Sequence, residues 1–269
     1  MKIVNLMEDT QGVADCHYEH GLSFYVETPR HKLLLDAGAS DKVLENAKIL
    51  GIDLTQVDTL VLSHGHYDHS GGILAIAETN PQMNIYMQRS AGLDYYHGER
   101  YIGIDKEILK FPCLMLLDGD CQIDEELSVF THIKGRRLWP KGNLALQRKD
   151  KAGPVQDDFE HEQCLVITAE GKRILLSGCA HNGILNILDQ YRMLYQGEPD
   201  VVISGFHMVQ KAEYSKEDVQ NIRETAKELQ NMHTRFYTGH CTGLLAFDIM
   251  KEVMGEQLQY VHCGDRITV

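Results

Sequence analysis

The chain has 269 residues, 43% of them hydrophobic and 24% charged, and a net charge of −13 at pH 7. That is an ordinary globular composition with chain enough for a large core in one domain over 1–269, and the acidity excludes general affinity for nucleic acid or anionic membrane. No apolar run approaches the ~20 residues that cross a bilayer, residues 1–6 are too short for a leader's apolar region before Glu8 and Asp9, and the seven cysteines include no C-x-x-C pair, so the expectation is a cytoplasmic protein with free thiols and no membrane partner.

In chain order, strands are expected over 2–6, 22–27 and 31–36, the last two joined by a turn at Pro29-Arg30. Asp36-Ala37-Gly38 ends the third strand on an acid. A helix over 41–50 follows, capped by Ser40 or Asp41 and stopped at Gly51, with Val43, Leu44, Ala47 and Leu50 on its sheet-facing side. Residues 59–73 read TLVLSHGHYDHSGGI. An apolar strand stops at Ser63, the polar run His64, His66, Asp68 and His69 follows, and Gly71-Gly72 leads into a helical, Ala-rich segment. Strand end, polar loop and helix start is where α/β proteins place their sites. Neutral imidazoles are nitrogen donors for zinc, iron or nickel, and Asp adds a hard oxygen. His64 and His66, two apart on extended chain, can face one ion, while Asp68 and His69 can turn towards a neighbouring one. A surface loop that merely happens to hold histidines is a poor account of this density.

A strand over 84–87 precedes a less regular stretch, 89–160, read as a lid or insert. Tyr95, Tyr96, His97, Arg100 and Tyr101 crowd together there; they form either a lid whose rings and Arg100 meet a flat substrate or a surface loop with buried tyrosines. Lys134, Arg136, Arg137, Lys141, Arg148, Lys149 and Lys151 make a basic run, which either attracts phosphate or carboxylate or is a solvated loop. Trp139-Pro140 would fix that loop over the core. Among the acids of 157–162, solvated side chains are the plain expectation. A strand over Cys164–Ala169 and another over 173–177 lead to Gly178-Cys179-Ala180-His181-Asn182-Gly183 and a helix from Ile184, repeating the strand, loop, helix pattern of the first site. His181 is the better ligand there. Cys179 is either a zinc-binding thiolate or a packed thiol. A strand over 200–204 ends in Gly205-Phe206-His207, where His207 either serves substrate contact and proton transfer or is a hydrogen-bonded structural ring. A helix over 215–232 opens on a Ser215–Asp218 capping box. After a strand at Arg235–Thr238, Cys241 and Thr242 sit at the start of the last helix, a natural seat for an anion. A strand over 259–262 closes the chain, and no internal repeat is legible.

Together, Glu19-His20-Gly21-Leu22-Ser23, His64-x-His66-x-Asp68-His69, Gly178-Cys179-Ala180-His181, Gly205-Phe206-His207 and His240-Cys241-Thr242-Gly243 resemble the metallo-β-lactamase superfamily. Within it they are similar to the branch that holds the dihydropterin ribofuranosyl-aminobenzene phosphate synthase and relatives called metal-dependent hydrolases. The resemblance implies an α/β, four-layer αββα sandwich and two divalent ions, zinc first, with iron, manganese or nickel as alternatives. It implies that His64, His66 and His181 hold one ion and Asp68, His69 and His240 the other, and that Asp36 orients a ligand histidine from below. Many members carry a metal-bridging Asp where Cys179 stands, and a metal-binding His near His161, where this branch tends to be acidic, as at Asp158. The implied reaction is attack by a metal-bound hydroxide on an ester, phosphoester or lactone of a small anionic substrate, phosphorylated or pterin-like. Asp68 and His207 would be catalytic, and His20, Arg100, Tyr101, Cys241 and Thr242 would lie against substrate. The alternatives are a transferase resembling the synthase and a non-catalytic metal-binding module.

Overall fold

The computed structural model describes residues 1–210 and 212–269. Two seven-stranded sheets form its centre. One runs, edge to edge, Arg266–Thr268, Lys2–Met7, Ser23–Glu27, Lys32–Leu35, Thr59–Val61, Asn84–Gln88, Leu114–Leu117, and the other Cys121–Gln122, Leu127–Phe130, Cys164–Ala169, Lys172–Ser177, Val201–Ser204, Arg235–Thr238, Leu258–Tyr260. Read in that direction, each sheet has three antiparallel pairings followed by three parallel ones. The chain thus carries two halves of the same design with little trace in its letters, because pairing pattern depends on connections and not on side-chain identity.

Period-two side-chain alternation builds the layers. Leu33, Leu35 and Val61 meet Leu165, Ile167, Leu176 and Ile203 between the sheets. Their neighbours Leu34, Leu60 and Leu62 point the other way, onto Val43, Ala47, Ile73 and Ile76 of the helices Lys42–Ile49 and Ile73–Thr79. On the second sheet Val166, Leu175, Val202 and Phe236 pack on Ile187 and Leu188 of Ile184–Tyr195, Ala226 of Lys216–Gln230 and Met250 of Leu244–Met254. The result is the four-layer αββα sandwich. Ser215 and Asp218 form the expected capping box.

The stretch 89–160 is more ordered than its composition suggests. Leu114–Leu117, Cys121–Gln122 and Leu127–Phe130 extend the two main sheets, and Tyr95–His97, Arg100–Tyr101, Leu146–Asp150 and Gly153–Gln156 make a separate four-stranded sheet. Tyr95 is buried there, whereas Tyr101 is 40% exposed. Trp139 packs edge-on against Phe159 at 5.9 Å between centroids.

Candidate metal centre

The centre lies where parallel strands end. Just past the strand Thr59–Val61, the Leu62 N–H still donates to the Tyr86 carbonyl at 3.0 Å; from Ser63 on, the backbone turns to Asp36. This buried carboxylate accepts from the Ser63 N–H at 2.7 Å, the Ser63 hydroxyl at 2.8 Å and His69 Nδ1 at 2.6 Å. Ser63 Oγ, its proton given to Asp36, accepts in turn from His64 Nδ1 at 2.8 Å. On the second half, His181 Nδ1 meets Asn143 Oδ1 at 2.9 Å, and His240 Nδ1 meets Asp9 Oδ1 at 2.6 Å. All four rings therefore have Nδ1 engaged by an acceptor, which orients each ring and turns its Nε2 inwards.

Those inward atoms converge. His64 Nε2 and His181 Nε2 lie 3.3 Å apart, and the His66 ring stands 4.5 Å and 4.9 Å from theirs. Asp68 Oδ2 is 3.6 Å from His69 Nε2 and 3.4 Å from His240 Nε2. The Cys179 sulfur stands between the groups: it is 3.2 Å from His69 Nε2, and its atoms and those of His64 and His181, or of His69 and His240, lie within 4.8 Å of one another. Burial, then the neighbouring imidazoles, drives His64 and His181 far below their ordinary pKa, and burial with His161 beside it takes His66 down to about 3. These rings are neutral. Burial opposes the charge on Asp68, but His69 and His240 hold its carboxyl well below the usual range.

This donor set fits divalent cations. With both Nδ1 atoms donating, the His64 and His181 nitrogens face each other with lone pairs, which repel unless a cation is shared. Two nitrogens at the ~2.0–2.1 Å of a tetrahedral zinc site stand about 3.3 Å apart. His66 Nε2 and His240 Nε2 are also buried and, among the described residues, have no hydrogen-bond partner, a costly state for polar atoms unless something else satisfies them.

Other residues singled out from sequence fall differently. His161 donates from Nε2 to Asp157 at 3.1 Å and accepts the Gly65 N–H on Nδ1 at 2.9 Å, so both nitrogens are occupied and the ring is a strut beneath the histidine loop. Asp158 pairs with Arg148 at 3.2 Å and is partly exposed. The buried Thr242 hydroxyl takes the Phe206 N–H at 2.8 Å and meets Thr238 Oγ1 at 2.6 Å, so it is engaged within the protein. Cys241 is buried too, its sulfur accepting the His207 N–H at 3.3 Å; the last helix starts only at Leu244. His207 sits against His181 with ring centroids 4.2 Å apart, and its buried Nδ1 lacks a partner among the described residues. Arg100 lies over the Tyr67 ring at 4.8 Å, and the Tyr101 hydroxyl donates to the Ile104 carbonyl at 2.9 Å. His20 meets Asp9 through Nδ1 at 2.8 Å and lies 3.4 Å from Asp68 Oδ2 through its other nitrogen.

Two acids taken as solvated are buried, which is a correction. Glu162 accepts the N–H groups of His181 and Asn182 at 2.6 Å and 2.8 Å and so shapes the second loop, and Asp157 carries His161. Three of the seven basic residues of 134–151 are paired with acids within the protein. Arg137 pairs with Asp189 and Glu228, Lys141 with Asp218 and Glu217, and Arg148 with Asp158. Asn143 and Asp9 were not anticipated. Asp9, an acid just past a buried strand end, offered a signal of the kind read at Asp36; Asn143, inside an irregular loop, offered none.

The chain matches the profile of the metallo-beta-lactamase superfamily over residues 19–219. The chain belongs to that superfamily. Over 99% of its length it is 28% identical to an uncharacterized protein of Methanocaldococcus jannaschii, all of which is covered. It is 26% identical to the 7,8-dihydropterin-6-methyl-4-(beta-D-ribofuranosyl)-aminobenzene-5'-phosphate synthase of the same organism, covering 98% of this chain and 95% of that one. Among solved structures, a metal-dependent hydrolase of the beta-lactamase superfamily superposes with a TM-score of 0.83 at 28% identity, over 100% of this chain and 99% of that one. The zinc-bound PqqB of Methylobacterium extorquens shares the fold, with a TM-score of 0.60 at 14% identity over the whole of both chains. The superfamily's divalent-metal chemistry agrees with the donors described above. No helix among the described residues is long and apolar enough to cross a membrane.

Proposed function

We propose that the protein is a hydrolase of small esters, phosphoesters or lactones that works with two divalent ions, zinc first among them. His64, His66 and His181 would hold the inner ion, and Asp68, His69 and His240 the outer one, with the Cys179 thiolate between. The observation that carries this reading is the set of ring nitrogens turned inward, with His64 Nε2 and His181 Nε2 at 3.3 Å and no proton to share. Ions held there would supply a nucleophile from water near neutral pH and stabilise charge building on the substrate oxygen.

The chain's own groups do the rest. Asp36 and Ser63 hold the rings of His69 and His64, Asn143 holds His181, and Glu162 fixes the backbone that carries His181. His207, against His181 and beside a cleft lined by Trp139, Phe206 and Met208, would give a proton to a leaving group. With Arg137, Lys141 and Arg148 engaged by acids, attraction for an anionic substrate would come from the ions more than from the basic loop. The lid would be the small sheet of 95–101 and 146–156, with Arg100 and Tyr101 on its edge.

The test is metal analysis of purified protein followed by a screen of phosphodiesters, lactones and carboxylic esters. His66→Ala and Asp68→Ala should lose metal and turnover together; full metal content in both variants refutes the ligand assignment. The full-length likeness to the synthase supports a second reading, transfer at a pterin pyrophosphate. Pyrophosphate release from such a substrate, with no hydrolysis in the screen, would decide for it. Tight metal binding with no turnover in either assay would decide for a binding module.

A further inference from the structure

We propose that His20 is an additional protein ligand of the outer ion, with Asp9 as the residue that positions it; this rests on the two-ion reading above. A single carboxylate holds two rings. Asp9 Oδ1 takes His240 Nδ1 at 2.6 Å and Asp9 Oδ2 takes His20 Nδ1 at 2.8 Å. The rings stack, with centroids 4.8 Å apart and planes 27° apart. Both then present Nε2 to the same oxygen: Asp68 Oδ2 is 3.4 Å from His20 Nε2 and 3.4 Å from His240 Nε2.

A lone pair aimed at a carboxylate oxygen is repulsive, so each ring must receive a cation on that side. Two protons would create two stacked imidazolium rings. One divalent ion among Asp68 Oδ2 and the two Nε2 atoms meets both demands at once, and ligand atoms about 3.4 Å apart are what bonds of ~2.0–2.2 Å around one tetrahedral ion produce. The arrangement has the form found at metal sites, a carboxylate behind the imidazole that faces the metal.

The position of His20 is built into the backbone on both sides. Leu22 N–H donates to the Asp68 carbonyl at 3.1 Å, and Glu19 N–H donates to the Glu8 carbonyl at 3.2 Å. Gly21 lies so close to the histidine loop that a Cβ there would stand 2.9 Å from the Asp68 carbonyl oxygen and 2.7 Å from the Ala39 nitrogen. The Glu19 carboxylate is anchored by Ser40 at 2.6 Å and Lys42 at 3.0 Å. Although the His20 side chain is 53% exposed, it is therefore no free surface ring. An exposed ligand also gives the outer ion an edge that faces solvent, where the inner cluster is closed.

The probe is Co²⁺, titrated into chelator-treated protein, with binding followed by calorimetry and by the visible absorption of the bound ion. Wild type should take two ions. His20→Ala should keep the inner affinity, bind the outer ion ~10–100-fold more weakly or worse, and change the absorption of that ion; millimolar imidazole should restore the band in part. Asp9→Asn should weaken the same ion and leave the other unchanged. Two ions bound by His20→Ala with wild-type affinities and spectrum, or a rise in KM alone with metal binding intact, overturns this inference while leaving the two-ion reading standing. A wild-type chain that never takes a second ion overturns both.

Discussion

Replacing Asp36 by Asn should disturb both groups of candidate ligands from beneath. Three donors enter this carboxylate: the Ser63 N–H at 2.7 Å, the Ser63 hydroxyl at 2.8 Å and His69 Nδ1 at 2.6 Å. Asn offers one oxygen. Its better orientation keeps that oxygen for His69 and the Ser63 hydroxyl, which share Oδ2 in the native chain, and sets its NH2 group against the Ser63 N–H. A charge-assisted bond is lost, worth ~1.5–3 kcal/mol, and two more become neutral and weaker. With Asp36 fully buried, D36N should cost about 2–4 kcal/mol in urea unfolding of the chelator-treated protein. Because Ser63 also carries the His64 ring, competition with a chromophoric chelator should show both ions bound ~10–100-fold more weakly. Wild-type stability together with wild-type affinity for both ions would refute the claim that this carboxylate orients the rings; loss of affinity at one ion alone would confine its reach to His69.

Cys179→Ser should lower occupancy below two ions per chain, because a hydroxyl is a weaker metal ligand than the sulfur it replaces within reach of both clusters, whereas Cys179→Asp should retain both; metal analysis after dialysis distinguishes them. Glu162→Gln should lose about 1–3 kcal/mol, since one of the N–H groups of His181 and Asn182 that the carboxylate accepts would then face an NH2; a thermal melt unchanged from wild type would contradict this. Stability of the metal-free protein should peak near pH 6.5. His66, with its pKa held by burial at about 3, contributes stability that is present above the unfolded value of ~6.5 and is lost as pH falls towards 3, a few kcal/mol over that window. His64 and His181, lowered by burial and by neighbouring rings, act in the same sense. His240, raised by Asp68 and Asp9 against its burial, and His20, raised chiefly by Asp9, contribute stability that is present below 6.5 and lost as pH rises through their folded values. Urea midpoints of the chelator-treated protein from pH 4 to 9 test this; a flat profile below 6.5 would show that the buried rings are not desolvated as described. Gly21→Ala should destabilise the fold, because its Cβ meets backbone atoms of Ala39 and Asp68 within 3.0 Å; a variant as stable as wild type would show that the backbone has room there.

Much of the candidate centre was legible because the side chains proposed as ligands follow strand ends closely in sequence. His64, His66, Asp68 and His69 fall within one six-residue loop, and His181 and His240 each follow a strand of the second sheet at the same place in a strand, loop, helix pattern. Element type was equally readable in the short apolar runs of Lys32–Leu35 and Cys164–Ala169, since such a run bounded by turn residues needs only neighbouring residues. What hydrogen-bonds those ligands was not. Asp9 and His240 are 231 positions apart, Asn143 and His181 38 apart, and no local pattern links such pairs. Cys179 could be read either as a packed thiol or as a ligand, and only the meeting of the two sheets, which sets its sulfur beside His64, His69, His181 and His240, gives it a place between the clusters. For Thr242 the position before a helix suggested an anion seat, and only the tertiary structure shows its hydroxyl engaged by Phe206 and Thr238. Residue type and spacing determine by themselves which chemistry the chain can offer, because they fix the donors each loop carries. Which nitrogens face inward, which carboxylates stand behind them and which polar groups are already satisfied was decided only by the packing of one half against the other, since those contacts join residues far apart along the chain.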